Sequence, residues 1–318
     1  MATKPKKFDV ISIGGATVDI LFYSKEGELI NTGHITKQKL LAFEYGAKIS
    51  ADRVYFTYGG GAANSAVAFS RLGLNAGIIS RIGSDNNGQL VINNIKKNKI
   101  DSSLLKIDAK ASTGFSVILT INNESKEHVA FIHRGANSFL SVKDIDLSLV
   151  STNWFYVTSL PKDHWPVIMT KVVQTGKNII WNPGHEQLTQ LPKLKAFLPK
   201  IKLLMLNHEE ALEFRKLKDI KGLITYIRKL GPEIVVITDG AKGAYAYDGK
   251  KYHYIKARSV KNINTLGVGD AFGSGLTAGL IYDKNIKQAL EWGIKNSASV
   301  VSEIGAQKGL LSRRQIEK

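Results

Sequence analysis

The sequence predicts an α/β protein: a doubly wound, mainly parallel sheet flanked by helices and carrying a small β-sheet lid. Three observations predict it. Short, nearly continuous apolar runs recur along the chain, the pattern of strands buried on both faces. Amphipathic stretches of helical spacing separate these runs, and such alternation builds parallel sheets through helical crossovers. Two segments break the rhythm and read as antiparallel insertions.

Taken in order, the expected core strands are residues 8–13, 76–82, 153–158, 178–181, 202–206 and 234–238. Helical spacing covers 63–72, 166–175, 209–216, 220–230, 271–282 and 286–304, the first ending at Gly73, a good C-terminal stop. The first interruption, about 20–58, offers extended segments and little helix and ends in the strand-like run 53–57. In the second, about 113–134, Phe115, Val117, Leu119 and Ile121 alternate with Ser116, Ile118 and Thr120. A polar turn at 122–126 and a further strand at 127–133 complete a hairpin. Residues 1–318 are therefore expected to form a single domain, with both interruptions projecting as the lid.

Composition narrows the function. The chain has 318 residues, 43% of them hydrophobic, too apolar for a largely disordered protein. It has no cysteine, which excludes disulfides, thiolate metal sites and a cysteine nucleophile. No apolar run approaches the roughly 20 residues that span a bilayer. The basic start MATKPKK is not followed by the apolar stretch of a secretory signal, so a cytoplasmic protein is expected. Lys and Arg number 44 against 27 Asp and Glu, a net charge of +17 that favours anionic partners. The charge is dispersed, and no reading helix, zinc finger or aromatic-interleaved basic sheet accompanies it, so specific nucleic-acid binding is not expected.

Three glycine-rich segments carry the chemistry. In NTLGVGD (264–270), Gly267 and Gly269 precede Asp270 and a helical pattern. A helix start offers free N–H groups and a dipole to an anion, and an acid there can take a proton from a hydroxyl. The same residues also fit a plain capped turn. In GGGAANSA (59–66), Gly60 and Gly61 let backbone approach a ligand and Asn64 offers both a donor and acceptors; a tight entry turn fits equally. In GGATVD (14–19), Asp19 follows a strand end, where open α/β sheets place ligands, although an ordinary loop acid fits too. The chain has no G-x-x-x-x-G-K-[ST], no G-x-G-x-x-G after its first strand, no H-E-x-x-H and no G-x-S-x-G, which counts against P-loop, dinucleotide, zinc-protease and esterase chemistry.

Together these segments resemble the ribokinase, or PfkB, family of carbohydrate and nucleoside kinases, over essentially the whole chain. GGGAANSAVAFSRLG (59–73) is similar to its first signature and NTLGVGDAFGSG (264–275) to its second. LNHEE (206–210) resembles the N-x-x-E motif, ITDGAKGAY (237–245) the nucleotide-loop T-x-G-x-x-G, and WNPG (181–184) the N-P segment. RGAN (134–137) and GAQKG (305–309) also recur in ribokinase-like sequences.

The resemblance implies an ATP-dependent kinase acting on a hydroxyl of a sugar or nucleoside, with Mg²⁺. Asp270 would be the base, and Gly267, Val268 and Gly269 the anion hole. Asp19, Gly60, Gly61 and Asn64 would hold the acceptor. Thr238, Gly240, Lys242 and Gly243 would border the nucleotide, with Asn182 near its phosphates. Asn207 and Glu210 would organise Mg²⁺ through water. Lid strands often pair between subunits in this family, so the resemblance also implies a homodimer. Three departures matter. Asn264 replaces the Asp that helps bind a monovalent cation, which puts potassium activation in question. Gly61 and Thr17 stand where true ribokinases carry Lys and Asn, so ribose itself is not implied. A non-catalytic sugar-binding protein on the same scaffold is the remaining alternative.

Overall fold

The computed structural model describes residues 5–31, 39–121 and 128–318. Its main sheet runs Tyr252–Ile255, Ala244–Tyr247, Ile234–Thr238, Leu203–Asn207, Asn178–Trp181, Trp154–Val157, Val10–Ile13, Ala76–Gly83, Leu105–Asp108. All neighbours are parallel except the pairs made by Ala244–Tyr247, which are antiparallel. The four residues of Val10–Ile13 are all buried, as helices on both faces require. Trp165, Trp181 and Phe197 pack together in one of the two flanking layers, and Phe69 meets Tyr156 edge-on in the other.

The Val268–Ile281 helix lies against the Ile286–Val301 helix through glycine. A Cβ at Gly275 would come within 2.7 Å of the Trp292 carbonyl, and one at Gly279 within 2.8 Å of Ala289. Those two positions are four apart, so they share one face and let the backbones approach closely.

Every expected core strand is present: 178–181 and 234–238 end where expected, 8–13 and 153–158 are trimmed, 76–82 gains one residue and 202–206 shifts by one. The sequence reading missed the Asn86–Lys97 helix and the Leu105–Asp108 strand that follows it. Asn and Gly, both weak helix formers, dilute the helical pattern there; Asp85 starts the helix by accepting from the Gly88 N–H at 2.8 Å. The antiparallel edge pair Ala244–Tyr247 and Tyr252–Ile255 was missed as well.

The interrupting segments build a second sheet, in the order Val129–His133, Phe115–Ile121, Thr17–Ser24, Arg53–Gly59. It begins at Thr17, earlier than expected, because the chain passes straight from the Gly14 and Gly15 turn into a strand. The register aligns Phe131, Val117, Ile20 and Phe56 in one row, and Ile132, Ser116, Asp19 and Thr57 in the next. Successive residues point to opposite faces, so one face presents Asp19 and the other is apolar. The expected turn at 122–126 lies outside the described residues.

Candidate active site

Ligands of open α/β sheets bind at the carboxyl ends of the strands, where strand order reverses. Here that point is Val10–Ile13, whose neighbours are Ala76–Gly83 on one side and Trp154–Val157 on the other. Gly14 and Gly15 follow it directly. Asn207 and Thr238 end their own strands at the same edge, and Asn182 follows Trp181.

Two helix starts converge on this edge. Gly60, with φ of +85°, introduces the Gly61–Arg71 helix. The Gly15 carbonyl accepts from the Ala62 and Ala63 N–H groups at 3.1 and 3.2 Å. That close approach requires glycine, since a Cβ on Gly60 would strike the same carbonyl. The small Ala-rich sequence after it lets the helix sink into the core and carries Asn64 to a nearly buried position.

At the other start Gly267, left-handed with φ of +69°, precedes the Val268–Ile281 helix. A side chain there would collide with Ala306. The turn is braced by the Asn264 side chain, which accepts from the Leu266 N–H at 2.6 Å. The N–H groups of the first turn have no intrahelical acceptor and remain available to an anion.

Asp270 sits in this first turn, and Asn64 Nδ2 donates to its Oδ2 at 2.8 Å. The residue remains partly accessible. Burial pushes its carboxyl above the ordinary Asp range; the Asn64 donor opposes this and the nearby Asp19 charge adds to it. Asp19 is raised by burial too, against hydrogen bonds from Ser116 Oγ at 2.6 Å and Thr17 Oγ1 at 3.2 Å. One end of the cleft thus gathers two carboxylates, one amide and a nest of free N–H groups.

A cavity lies beside each of the two helix starts. One, of about 300 Å³, reaches from Thr238, Gly240 and Gly243 to Val268 and Gly269, with Phe272 and Ala298 as apolar wall. The other, of about 180 Å³, is lined by Gly15, Thr17, Gly60, Gly61, Asn137 and Leu140 among others. A larger cleft of about 870 Å³ beside Arg81 adjoins the second at His133, and its one lining carboxylate, Asp108, is bound to Arg81 at 2.8 Å.

The model of the pfkB family of carbohydrate kinases matches residues 27–313. The chain belongs to the pfkB family. It is 26% identical over 296 residues to the ribokinase of Haemophilus influenzae, covering 89% of this chain and 95% of that protein. The crystal structure of the Methanocaldococcus jannaschii nucleoside kinase, an archaeal member of the ribokinase family, superimposes with a TM-score of 0.80 at 20% identity, covering 98% of each chain. That of Arabidopsis thaliana ribokinase complexed with ribose and ATP gives 0.79 at 18% identity, covering 98% of this chain and 97% of the other. As a pfkB family kinase the protein is a phosphotransferase with an alcohol acceptor.

Within this pfkB kinase the residues named from the sequence are not all equally placed. Gly60 and Gly61 line the smaller cavity; Thr238, Gly240, Gly243, Val268 and Gly269 line the larger. Asp19, Asn64 and Asp270 line neither; Asn64 holds Asp270, and Asp19 lies near enough for its charge to act on it. Lys242 instead reaches Asp239 at 3.1 Å and is largely exposed. Asn182 Nδ2 donates to the Met205 carbonyl at 3.1 Å. Asn207 and Glu210 form a reciprocal helix cap, each accepting from the other's backbone N–H at 2.7 and 2.9 Å. Sequence reasoning gave no role to Ser116, Phe272 or Gln307. Ser116 was visible only as the polar partner in an alternating strand, and Gln307 only as part of GAQKG.

Proposed function

We propose that this kinase transfers the γ-phosphoryl group of ATP to a hydroxyl of a monosaccharide. Asp270 is the base, and the backbone N–H groups of Gly267, Val268 and Gly269 form the anion hole. The observation that supports this most is the carboxylate of Asp270 held by Asn64 in the first turn of a helix whose leading N–H groups are free. ATP occupies the larger cavity, its base against the apolar wall by Phe272 and its phosphates toward Gly269. The acceptor occupies the smaller one, held by Asp19, Asn64, Gly60 and Gly61. That cleft, of about 180 Å³, adjoins the larger one beside Arg81 at His133, so a single sugar ring would lie within it and a nucleoside would reach beyond it. Thr238, Gly240 and Gly243 border the nucleotide, and Lys242 and Asn182 would have to leave Asp239 and the Met205 carbonyl to reach its phosphates.

The transfer is then mainly a matter of placement. Asp270 accepts the hydroxyl proton as the oxygen bonds to phosphorus, and the bond to the ADP oxygen breaks. The N–H nest takes up charge on the transferred group where water is excluded. The second sheet acts as the lid that excludes it.

The residues present also fit Mg²⁺ carried by the phosphates. Among the described residues no cluster of three ligating side chains exists, whereas Mg²⁺ on a nucleotide needs only one or two carboxylates and keeps its waters. Glu210, with one oxygen capping Asn207 and burial raising its carboxyl above the ordinary range, would hold such waters beside Asn207. Bound there, Mg²⁺ supplies neutralisation of phosphate charge. Asn264 is neutral and spends its oxygen on the Leu266 N–H, so activation by potassium is weak.

The apolar outer face of the lid, with Phe56 71% and Phe131 63% exposed at its edges, is covered by a second copy of the chain.

The test is a thermal-shift and ADP-release screen of monosaccharides and nucleosides with Mg·ATP. A sugar that both stabilises the protein and drives ADP release supports the proposal. Response to nucleosides alone replaces the acceptor, and ligand stabilisation without ADP release would revive the sugar-binding alternative.

A further inference from the structure

A line of buried side-chain amides leads away from Asp270. Asn64 Nδ2 donates to Asp270 Oδ2 at 2.8 Å, and Gln307 Nε2 donates to Asn64 Oδ1 at 2.9 Å. Asn94 Nδ2 donates to Gln307 Oε1 at 2.9 Å, and Asn98 Nδ2 donates to Asn94 Oδ1 at 3.2 Å. Asn64, Gln307 and Asn94 are 4%, 7% and 8% exposed, so water does not compete for these bonds.

The direction of the line is set by its end. An ionised carboxylate only accepts, so Asn64 must turn its NH₂ to Asp270 and its oxygen to Gln307. Gln307 must then turn its NH₂ to Asn64 and its oxygen to Asn94. Each amide therefore points its positive end toward Asp270, and hydrogen bonds aligned in a low-dielectric interior strengthen one another.

Gln307 is well placed to hold this order. Its segment is clamped by Arg71 Nη1, which donates to the carbonyls of Gln307 at 2.9 Å and Leu310 at 3.1 Å. The adjacent Ala306 packs on Gly267, so one loop touches both the anion-binding turn and the amide beside the acid.

We infer that Gln307, anchored by Asn94 on the Asn86–Lys97 helix, is a positioning residue that fixes the orientation of Asn64 and so keeps Asp270 ionised and aimed. Burial of Asp270 works against ionisation, as does Asp19 on the second sheet. The second titratable group facing it is Tyr156 of the core strand, whose hydroxyl is fully buried, has no hydrogen-bond partner among the described residues, and is itself pushed up by burial and by Asp270. The amide line is the device that offsets these. Without it the Asn64 oxygen loses its donor, the amide is less polarised toward the carboxylate, and the Asn64 side chain is free to turn away from Asp270.

The inference rests on the proposed role of Asp270, and the test separates the two. Gln307→Met keeps the length of the side chain and removes both hydrogen bonds; Asn94→Leu cuts the line one step further out. The pH dependence of kcat/KM is read alongside a ¹³C-carboxyl NMR titration of Asp270, assigned by comparison with Asp270→Asn. In both variants the acid limb and the titration are expected to move together toward higher pH, on the order of one pH unit for Gln307→Met and less for Asn94→Leu. Nucleotide KM stays within about twofold, and a melting curve confirms folding. A titration unmoved in folded Gln307→Met overturns the inference, as does a fall in kcat with the acid limb in place. A titration that moves while the acid limb does not would uphold the amide line and instead remove Asp270 as the base.

Discussion

Asn64 and Asp270, 206 positions apart in the sequence, meet at 2.8 Å where two helix starts converge. The contact ties the helix that borders the proposed acceptor cavity to the helix whose first turn faces the proposed phosphate position. Removing the Asn64 amide deprives a partly buried carboxylate of a charge-assisted hydrogen bond worth about 1.5–3 kcal/mol. Asn64→Leu is therefore expected to lower kcat/KM by about 10–100-fold with ATP binding retained. Steady-state kinetics beside titration of a non-hydrolysable ATP analogue checks this, and wild-type kcat/KM in the variant would contradict it.

Gly267 is fixed by two independent constraints, its left-handed φ and the Ala306 side chain in the space a Cβ would take. Gly267→Ala should destabilise the fold by roughly 1–3 kcal/mol and misplace the N–H nest. Loss of one such donor typically costs about 100–1,000-fold in kcat. Thermal melts and kcat measured on the same preparation would show both effects, and a variant as active as wild type would remove the anion hole from this turn.

Asp19 and Asp270 predict an unusual dependence of stability on pH. Each carboxyl titrates higher in the folded chain than in the unfolded one. The folded state thus binds protons more tightly, and its stability falls as pH rises from the unfolded carboxylate range through the folded one. Neutral amides escape this loss. Asp19→Asn and Asp270→Asn should each melt higher than wild type at pH 7, with the gap closing below about pH 4. Melting temperatures across pH 3–8 measure it, and equal temperatures throughout would contradict the burial argument.

The apolar row Phe131, Val117, Ile20 and Phe56 predicts self-association through the second sheet. Light scattering should give a dimer for the wild type and a monomer for Phe56→Glu combined with Phe131→Glu. Identical masses for the two would place any dimer interface elsewhere.

Much of this was legible in the sequence because the physics involved is local. Continuous apolar runs such as the one containing Val10 and Ile13 announce buried parallel strands, and the glycines before Asn64 and Asp270 announce helix starts with free N–H groups. The Asn86–Lys97 helix was hidden because Asn and Gly blur its apolar stripe, and tertiary contacts supply what propensity does not. The site was legible up to its second layer. Nothing in the spacing of Asn94, Asn64 and Gln307 signals that they touch, since their contact depends on three elements packing together. Lys242 shows the converse: its motif places it near the nucleotide, while its charge is taken up by Asp239.

The central claim is that Asp270 accepts the proton of the acceptor hydroxyl. Its most direct test is sugar-dependent ADP release by wild type and Asp270→Asn at saturating Mg·ATP, with nucleotide affinity measured on both. The account predicts a fall in kcat of about 100–10,000-fold at unchanged nucleotide affinity. Turnover by Asp270→Asn within a few-fold of wild type would contradict it.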